Sequence, residues 1–338
     1  MDPVFAHEPV MASEVVDLLS GRPPGVVVDL TIGAGGHAAA LLAAHPHLAL
    51  VGFDRDPDAV DAARRRLEGF GHRAAVHRGE FAGVEQGVAR LRAAGPPAWP
   101  GLAGGAWSES VVGVLADLGV SSPQLDRPER GFSYRQGGAL DMRMDPSGEV
   151  TAADIVNTVT YDDLVRMLVE NGEARFGRRI ARAIIAARPL ATTDELAAVV
   201  AEAVPAPARR RGHPARRVFQ ALRIAVNEEL DQLARGLPQA LDLLSPGGRA
   251  VVISYHSGED RLVKQIFRDA ERGGCQCPPG LPCVCGAEPL FRLVFRGSRR
   301  PGSDEVARNY RSESARLRAV ERLPDPSPSA SALPEAAA

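Results

Sequence analysis

The stretch Val26-Val27-Val28-Asp29-Leu30-Thr31-Ile32-Gly33-Ala34-Gly35-Gly36-His37 limits what this chain can fold into more than any other. A short β-branched run ends in an acid, a glycine-rich turn follows, and an alanine-rich segment reads as a helix. Strand, loop and helix in that order begin an open α/β sheet, where ligands sit beyond the carboxyl ends of the strands. Glycines in such a loop let the backbone come close to a ligand.

Three readings of the loop compete. Gly33, Gly35 and Ala38 satisfy the dinucleotide fingerprint G-x-G-x-x-G/A. An S-adenosylmethionine (SAM) loop instead expects an acid at the strand end, four residues before the first glycine, and Asp29 stands there. A sharp turn with no ligand is the third. The next apolar run, Leu48 to Phe53, also ends in an acid, Asp54. It lies 21 residues past Gly33 and suits a ribose in either ligand reading.

At 338 residues the chain suits two domains, and 45% hydrophobic residues suffice for a packed core. No apolar run approaches the ~20 residues of a membrane span, and no cationic-then-apolar leader pattern is present. A soluble cytoplasmic protein without membrane contact is expected. The net charge of −2 gives no hint of nucleic acid, but its distribution does. Residues 175–223 hold eleven arginines (175, 178, 179, 182, 188, 209, 210, 211, 216, 217 and 223) against Asp194, Glu195 and Glu202. The segment is therefore +8 and the remainder −10. This is the pattern of a phosphate footprint, with a solvated helix surface as the plainer alternative.

In chain order, Ser13 is expected to cap a helix near residues 13–20. Strands are expected at Val26–Leu30, Leu48–Asp54, Ala74–His77 and Val111–Asp117, with helices at 36–44 and from Pro57 to about Leu67 between them. Phe81 stands where an adenine could lie, or where core packing would use it. The Gly/Pro-rich loop 95–110, with both tryptophans, reads as a surface excursion. From 126 to 232 the pattern turns helical: about 151–157, 161–170, 173–187, 193–204 and 215–235, the fourth behind the capping box Thr192-Thr193-Asp194-Glu195. Strand character returns at Arg249–Tyr255, Leu290–Phe295 and Ala315–Glu321, with a helix at about 259–271. A discontinuous sheet domain (1–125 with 236–322), an inserted helical domain (126–235) and a disordered tail (323–338) follow.

Several segments together resemble the bacterial small-subunit rRNA cytosine-N4 methyltransferases, the RsmH (MraW) family. They include Gly33 to His37, Phe53 to Pro57, Asp117 to Asp126, Glu129 to Phe132, Leu140 to Pro146, Gly172 to Ile185, His213 to Glu229 and Ser245 to Arg261, and they cover about residues 7–320 in order. The resemblance implies a class I SAM-dependent methyltransferase, an α/β fold with a Rossmann-like, mostly parallel sheet. It implies SAM as methyl donor, 16S rRNA within the 30S subunit as partner, and the N4 of a decoding-centre cytidine (1402 in the usual rRNA numbering) as target. It places Gly33, Gly35, Gly36 and His37 in the donor loop, Asp54 at the ribose, Phe81 against the cofactor, and Asp117 and Gln124 near the reacting end. The loop 95–110 and the tail depart from the family pattern.

Cytosine's exocyclic amine is a poor nucleophile, so catalysis here means positioning it against an activated methyl group and drawing its protons toward acceptors. Asp117, Ser122 and Gln124 are the candidates in the loop Ser121-Ser122-Pro123-Gln124. Gln124 stands where an amino-methyltransferase has a stacking aromatic, so Phe132, Tyr134 or Tyr255 would have to stack, unless each merely packs. The run Asp141-Met142-Arg143-Met144-Asp145 is either a salt-bridged closure or a wall of the RNA cleft. Arg209, Arg210 and Arg211, in a proline-flanked loop, and Arg216 and Arg217 are the candidates for phosphate. Cys275, Cys277, Cys283 and Cys285 could close a structural zinc site, although C-x-C is tighter than the usual spacing; reduced thiols or a disulfide are the alternatives. A homodimer stays open. So do three rivals: a methyltransferase for another RNA, an NAD-dependent oxidoreductase, and a non-catalytic assembly factor. Asp29 speaks against the oxidoreductase.

Overall fold

The computed structural model describes residues 9–105, 108–209, 212–278, 282 and 284–325. Trp107, Arg210, Arg211, Cys283 and the tail from 326 onward lie outside them. The elements run α1 (Ala12–Leu19), β1 (Gly25–Asp29), α2 (Gly36–Ala44), β2 (Leu48–Asp54), α3 (Pro57–Leu67), β3 (Ala74–Arg78), α4 (Val84–Ala94), β4 (Val111–Asp117) and α5 (Ser122–Asp126). They continue α6 (Ala152–Thr158), α7 (Tyr161–Glu170), α8 (Gly177–Ala186), α9 (Thr193–Ala203), α10 (Ala206–Arg209), α11 (Ala215–Asn227) and α12 (Glu229–Asp242). The last are β5 (Leu244–Ser254), α13 (Ser257–Arg272), β6 (Phe291–Leu293), α14 (Ser303–Arg308) and β7 (Arg316–Arg322).

The strands form one sheet in the order β3-β2-β1-β4-β5-β7-β6. β1 to β5 are parallel, and β7 runs antiparallel between β5 and β6. β1 is buried along its whole length, and β2 and β4 except at their terminal aspartates, because helices cover both faces. That is why each reads as an unbroken apolar run ending in an acid. The strand order reverses between β1 and β4, and the crevice at their carboxyl ends is where such sheets take ligands.

Residues between Phe132 and Leu222 have an apolar core of their own, built by α6 to α9, α11 and the loop before them. The capping box at α9 forms as expected: Glu195 N donates to Thr192 Oγ1 and Thr192 N to Glu195 Oε2. The expected single helix over 215–235 is instead two. Glu228 turns left-handed (φ 50°, ψ 34°) and separates α11 from α12. Leu233, Leu237, Ala240 and Leu241 of α12 then join the core beneath the sheet. The helical segment therefore returns to the sheet at Glu228, earlier than the expected boundary at 235.

Two further expectations change. Ser13 does not cap α1; Met11 precedes the helix in a left-handed conformation (φ 53°), buried, with its N–H on Glu305 Oε1. The loop 95–110 is no mere surface excursion. Trp99 is fully buried in the sheet's core, and its indole N–H donates to Ser108 O at 2.9 Å. Among the described residues no helix is long and apolar enough to cross a membrane.

Candidate active site

At the carboxyl ends of β1, β2, β4 and β5 lies a cavity of about 180 Å³. Thr31 and Gly33 reach it from the first loop, Asp54 and Arg55 from β2, and Phe81 from the turn after β3. Asp117 to Ser121 and Gln124 enter from β4 and α5, and Tyr255 and Glu259 from β5 and α13. Met144, Asn227, Glu229, Gln232 and Leu233 close it from the helical side.

Local packing sets these positions. Gly52 in β2 leaves room for Ile32, because a Cβ there would come within 2.5 Å of the Ile32 side chain. The loop therefore folds back over β2, and Gly33 N–H reaches Asp54 Oδ2 at 2.9 Å. Asp56 N–H holds the other oxygen at 2.9 Å. Gly236 in α12 does the same for Phe81: a Cβ would meet Phe81 O at 2.3 Å. Gln232, one turn earlier, accepts from Ala82 N–H at 3.0 Å and pins that turn to α12.

The carboxylates are the electrostatic core of the site. Burial pushes the Asp54 carboxyl up to about 6, against the backbone N–H groups of Asp56 and Gly33. Burial likewise holds Asp29 up to about 8, with Thr31 N–H opposing and the Asp117 and Asp54 charges adding. Asp117 is raised by burial, opposed by His37 and by a hydrogen bond from Tyr255. Its backbone N–H donates to Thr31 Oγ1 at 2.7 Å, which ties β4 to the glycine loop. Tyr255 donates its hydroxyl to Asp117 Oδ1 at 2.7 Å, and His37 Nδ1 stands 3.7 Å from Oδ2. The other ring nitrogen of His37 pairs with Val10 O at 2.8 Å.

Not all expected residues face the cavity. Gly33, Asp54, Phe81, Asp117 and Gln124 line it; Gly35, Gly36, His37 and Ser122 do not. Gly35 packs on Ala63 and Leu67 of α3, and Gly36 lies against Pro9. His37 is buried and reaches the site only through Asp117. Gln124 is committed internally: its Oε1 accepts from Ser121 N at 3.0 Å and its Nε2 donates to Asp56 Oδ2 at 2.8 Å. Of the stacking candidates only Tyr255 lines the cavity. Phe132 is in the helical core, and Tyr134 stacks on His213 at 4.7 Å.

The run at 140–146 takes the first of the two roles weighed for it, closing the insertion. Arg78 Nη2 pairs with Asp145 Oδ1 at 2.6 Å, and Arg130 Nη2 donates to the Arg143 and Met144 carbonyls, which closes the insertion on the sheet. Met144 also forms a wall of the cavity. Asn227, 3% exposed, clamps this run with Nδ2 on Met142 O (2.8 Å) and Oδ1 on Met144 N–H (2.7 Å).

At the far end Arg223 makes a two-bond pair with Glu229 (2.7 and 2.8 Å). Glu259 caps α13 through the N–H groups of Tyr255 and His256, and His256 Nε2 lies 3.2 Å from its Oε1. Burial alone would raise Glu259, but His256, Arg223 and the Tyr255 N–H outweigh it and hold it below the usual range. Sequence reasoning assigned no site role to Thr31, Asn227, Glu229, Gln232 or Glu259, although the last four fall in or beside segments that carried the resemblance.

The arginines of the helical segment divide. Arg175, Arg178, Arg179, Arg182, Arg209, Arg216 and Arg217 are exposed. Arg188 and Arg223 turn inward: Arg188 donates to Val156 O and Val159 O, and Arg223 takes Glu229. Arg209 also donates through Nε to Val204 O at 2.8 Å.

Sheet order and a cavity at the β1/β4 switch point, lined by the acids that end β2 and β4, define a class I methyltransferase fold. The MraW methylase family model matches residues 4–323, and the chain belongs to that family. It is 46% identical over 323 residues to ribosomal RNA small subunit methyltransferase H of Carboxydothermus hydrogenoformans, covering 94% of this chain and 98% of the relative. The protein of the same name from Syntrophotalea carbinolica is 48% identical over 326 residues, covering 95% and 99%. Among solved structures, TrmN from Thermus thermophilus covers 95% of this chain and 52% of its own at 13% identity, with a TM-score of 0.38. The fold assignment rests on the sheet itself.

Proposed function

We propose that the protein transfers a methyl group from SAM to the exocyclic N4 of a decoding-centre cytidine in 16S rRNA, acting in the cytoplasm on the 30S subunit. Family membership, together with relatives named for small-subunit rRNA methylation, carries this reading.

The cavity's donors and acceptors fit SAM. Asp54 spends one lone pair of each oxygen on Gly33 and Asp56, and the remaining lone pairs can accept a ribose diol. Phe81, Leu118 and Leu233 supply apolar surface for a purine. Asp117, which lines the cavity at the end of β4, is the carboxylate nearest to where a cationic group would sit. When bound, SAM supplies an electrophilic methyl group on a sulfonium.

The chain's own part is positioning. Tyr255 engages Asp117 Oδ1. Oδ2, 3.7 Å from His37, has lone pairs for an N4 hydrogen. Drawing that hydrogen toward the carboxylate frees the nitrogen lone pair from the ring. Burial makes Asp117 the stronger base for this task. The carbonyls of Leu118, Gly119 and Val120, which line the cavity, are the second set of acceptors. A paired base cannot reach this crevice, so the cytidine enters unstacked. The exposed arginines of α8 and α11 supply charge for the phosphates.

The test is methyl transfer from labelled SAM to 30S subunits and to naked 16S rRNA, both from a strain lacking the enzyme, with the product nucleoside identified by mass. N4-methylcytidine at the decoding centre is expected. SAM binding without methylation of either substrate would sink the target while leaving the fold intact.

A further inference from the structure

The one sequence motif that this function does not use is the cysteine run after α13. Cys275, Cys277 and Cys285 bring their sulfurs within 4.8 Å of one another, although the first and last are ten positions apart. The sulfurs of Cys275 and Cys285 are 3.6 Å apart. A disulfide needs about 2.05 Å. Two thiolates on one tetrahedral zinc, each at about 2.3 Å, stand about 3.8 Å apart. The observed gap, a thiol hydrogen bond from Cys285 to Cys275, is far too long for a disulfide and close to the second spacing. Val284 N–H also points to Cys277 Sγ at 3.5 Å, so the loop's backbone turns in toward the sulfurs.

The described part of the surrounding loop is exposed or half-buried. Among its described residues from Cys275 to Gly286 none is buried, and Val284 is 88% exposed. Its base is pinched shut, because Gly273 lies so close to Glu288 that a Cβ would come 2.2 Å from Glu288 O. Short segments that cannot bury a core are held by a metal or a cross-link. We propose that Cys275, Cys277 and Cys285 are thiolate ligands of a structural zinc ion. The ion knots this loop beyond the last turn of α13.

The site lies away from the chemistry. α13 starts at the cavity with Ser257 and runs 16 residues to Arg272, a length of about 24 Å. Loss of the metal therefore loosens the loop and leaves methyl transfer unchanged.

The full chain, purified under reduction, is exposed to zinc, dialysed against a weak chelator and assayed for metal. About one zinc per chain is expected. Cobalt in its place should give the intense charge-transfer and ligand-field bands of tetrahedral thiolate coordination. Cys277→Ser and Cys285→Ser should each lose the zinc and those bands, with the melting transition and methyl transfer intact. Proteolysis within 275–288 should quicken in the same variants. Three results would overturn the proposal: no zinc retained by the reduced chain, equal zinc in the serine variants, or a loop disulfide found by mass in chain kept under reduction.

Discussion

Tyr255 donates its hydroxyl to Asp117 Oδ1 across 2.7 Å and so joins the carboxyl ends of β5 and β4 over the cavity. Its own ionisation lies well above the ordinary phenol range, from burial and the facing carboxylate, so it remains a donor at every working pH. A hydrogen bond to the charged form holds an acid's pKa down. Tyr255→Phe removes it, and Asp117, already raised by burial, rises further. The acid limb of the kcat/KM profile should move to higher pH, with SAM affinity little changed. Asp117→Asn should lose about 10²–10⁴-fold in kcat at all pH values. An unshifted limb in Tyr255→Phe would show that the phenol only fills space.

Asp56 is a junction that holds the loops of both segments. It is 2% exposed, caps α3 through Asp58 N–H, and takes Gln124 Nε2 at 2.8 Å and Arg130 Nη2 at 2.9 Å. Asp56→Ala removes the α3 cap and leaves Gln124 Nε2 buried without its acceptor, while Arg130 keeps the Arg143 and Met144 carbonyls, at a cost of about 2–3 kcal/mol. Asp56→Asn keeps the cap and should lose less. Urea unfolding gives both values. A loss under about 1 kcal/mol for the alanine variant would mean that water replaces the carboxylate freely.

The parts of this site that were legible are those whose signal is local. A β-branched run followed by an acid marks a buried parallel strand whose end faces the crevice, which is how Asp54 and Asp117 stood out. Motif glycines say that a loop is tight but not which way each residue turns, so Gly35 and Gly36 were placed on the ligand when they pack on α3 and Pro9. Asn227, Glu229 and Gln232 reach the cavity because the helix breaks at Glu228. That break is a left-handed glutamate with no glycine or proline to announce it.

Trp99 illustrates the opposite error, because Gly/Pro composition imitated an exposed loop. Its side chain is fully buried beneath the sheet, with Arg92 5.0 Å from the ring centre. Trp99→Ala should cost about 3–5 kcal/mol, seen as a lower urea midpoint at unchanged slope. Trp99→Phe should recover most of this while losing the bond to Ser108 O.

Asp29 makes stability depend on pH in an unusual direction. Burial holds its carboxyl up to about 8, and Asp54 up to about 6, against an ordinary value of 3.8. Between 3.8 and those values the folded chain binds more protons than the unfolded one. These two groups therefore contribute stability that is full below the unfolded value and is lost as pH rises through about 6 and about 8. Asp29→Asn imitates the protonated acid, and its Oδ1 can still accept from Thr31 N–H, 3.1 Å away. The decline in unfolding free energy between about pH 5 and about pH 8 should flatten in that variant. An identical decline in both proteins would show that Asp29 is ionised in the fold throughout.

The exposed and inward arginines should separate cleanly in their response to salt. On α8, Arg178 and Arg182 stand one turn apart on the open face, opposite the buried Ile180 and Ile184. Arg216 and Arg217 stand exposed at the start of α11, the latter 3.7 Å from Glu173. Each contact with a single-stranded phosphate adds about 0.7 to the slope of log K against log salt. Arg178→Ala, Arg182→Ala and Arg216→Ala should each lower that slope by about this amount for 30S or rRNA binding, at unchanged melting temperature. Arg188→Ala should do the reverse. Its side chain holds Val156 O and Val159 O at 2.6 and 2.7 Å, so its loss uncaps α6 and lowers the melting temperature while the slope stays put. Equal slopes in all four variants would make the basic segment a solvated surface and move the RNA elsewhere on the protein.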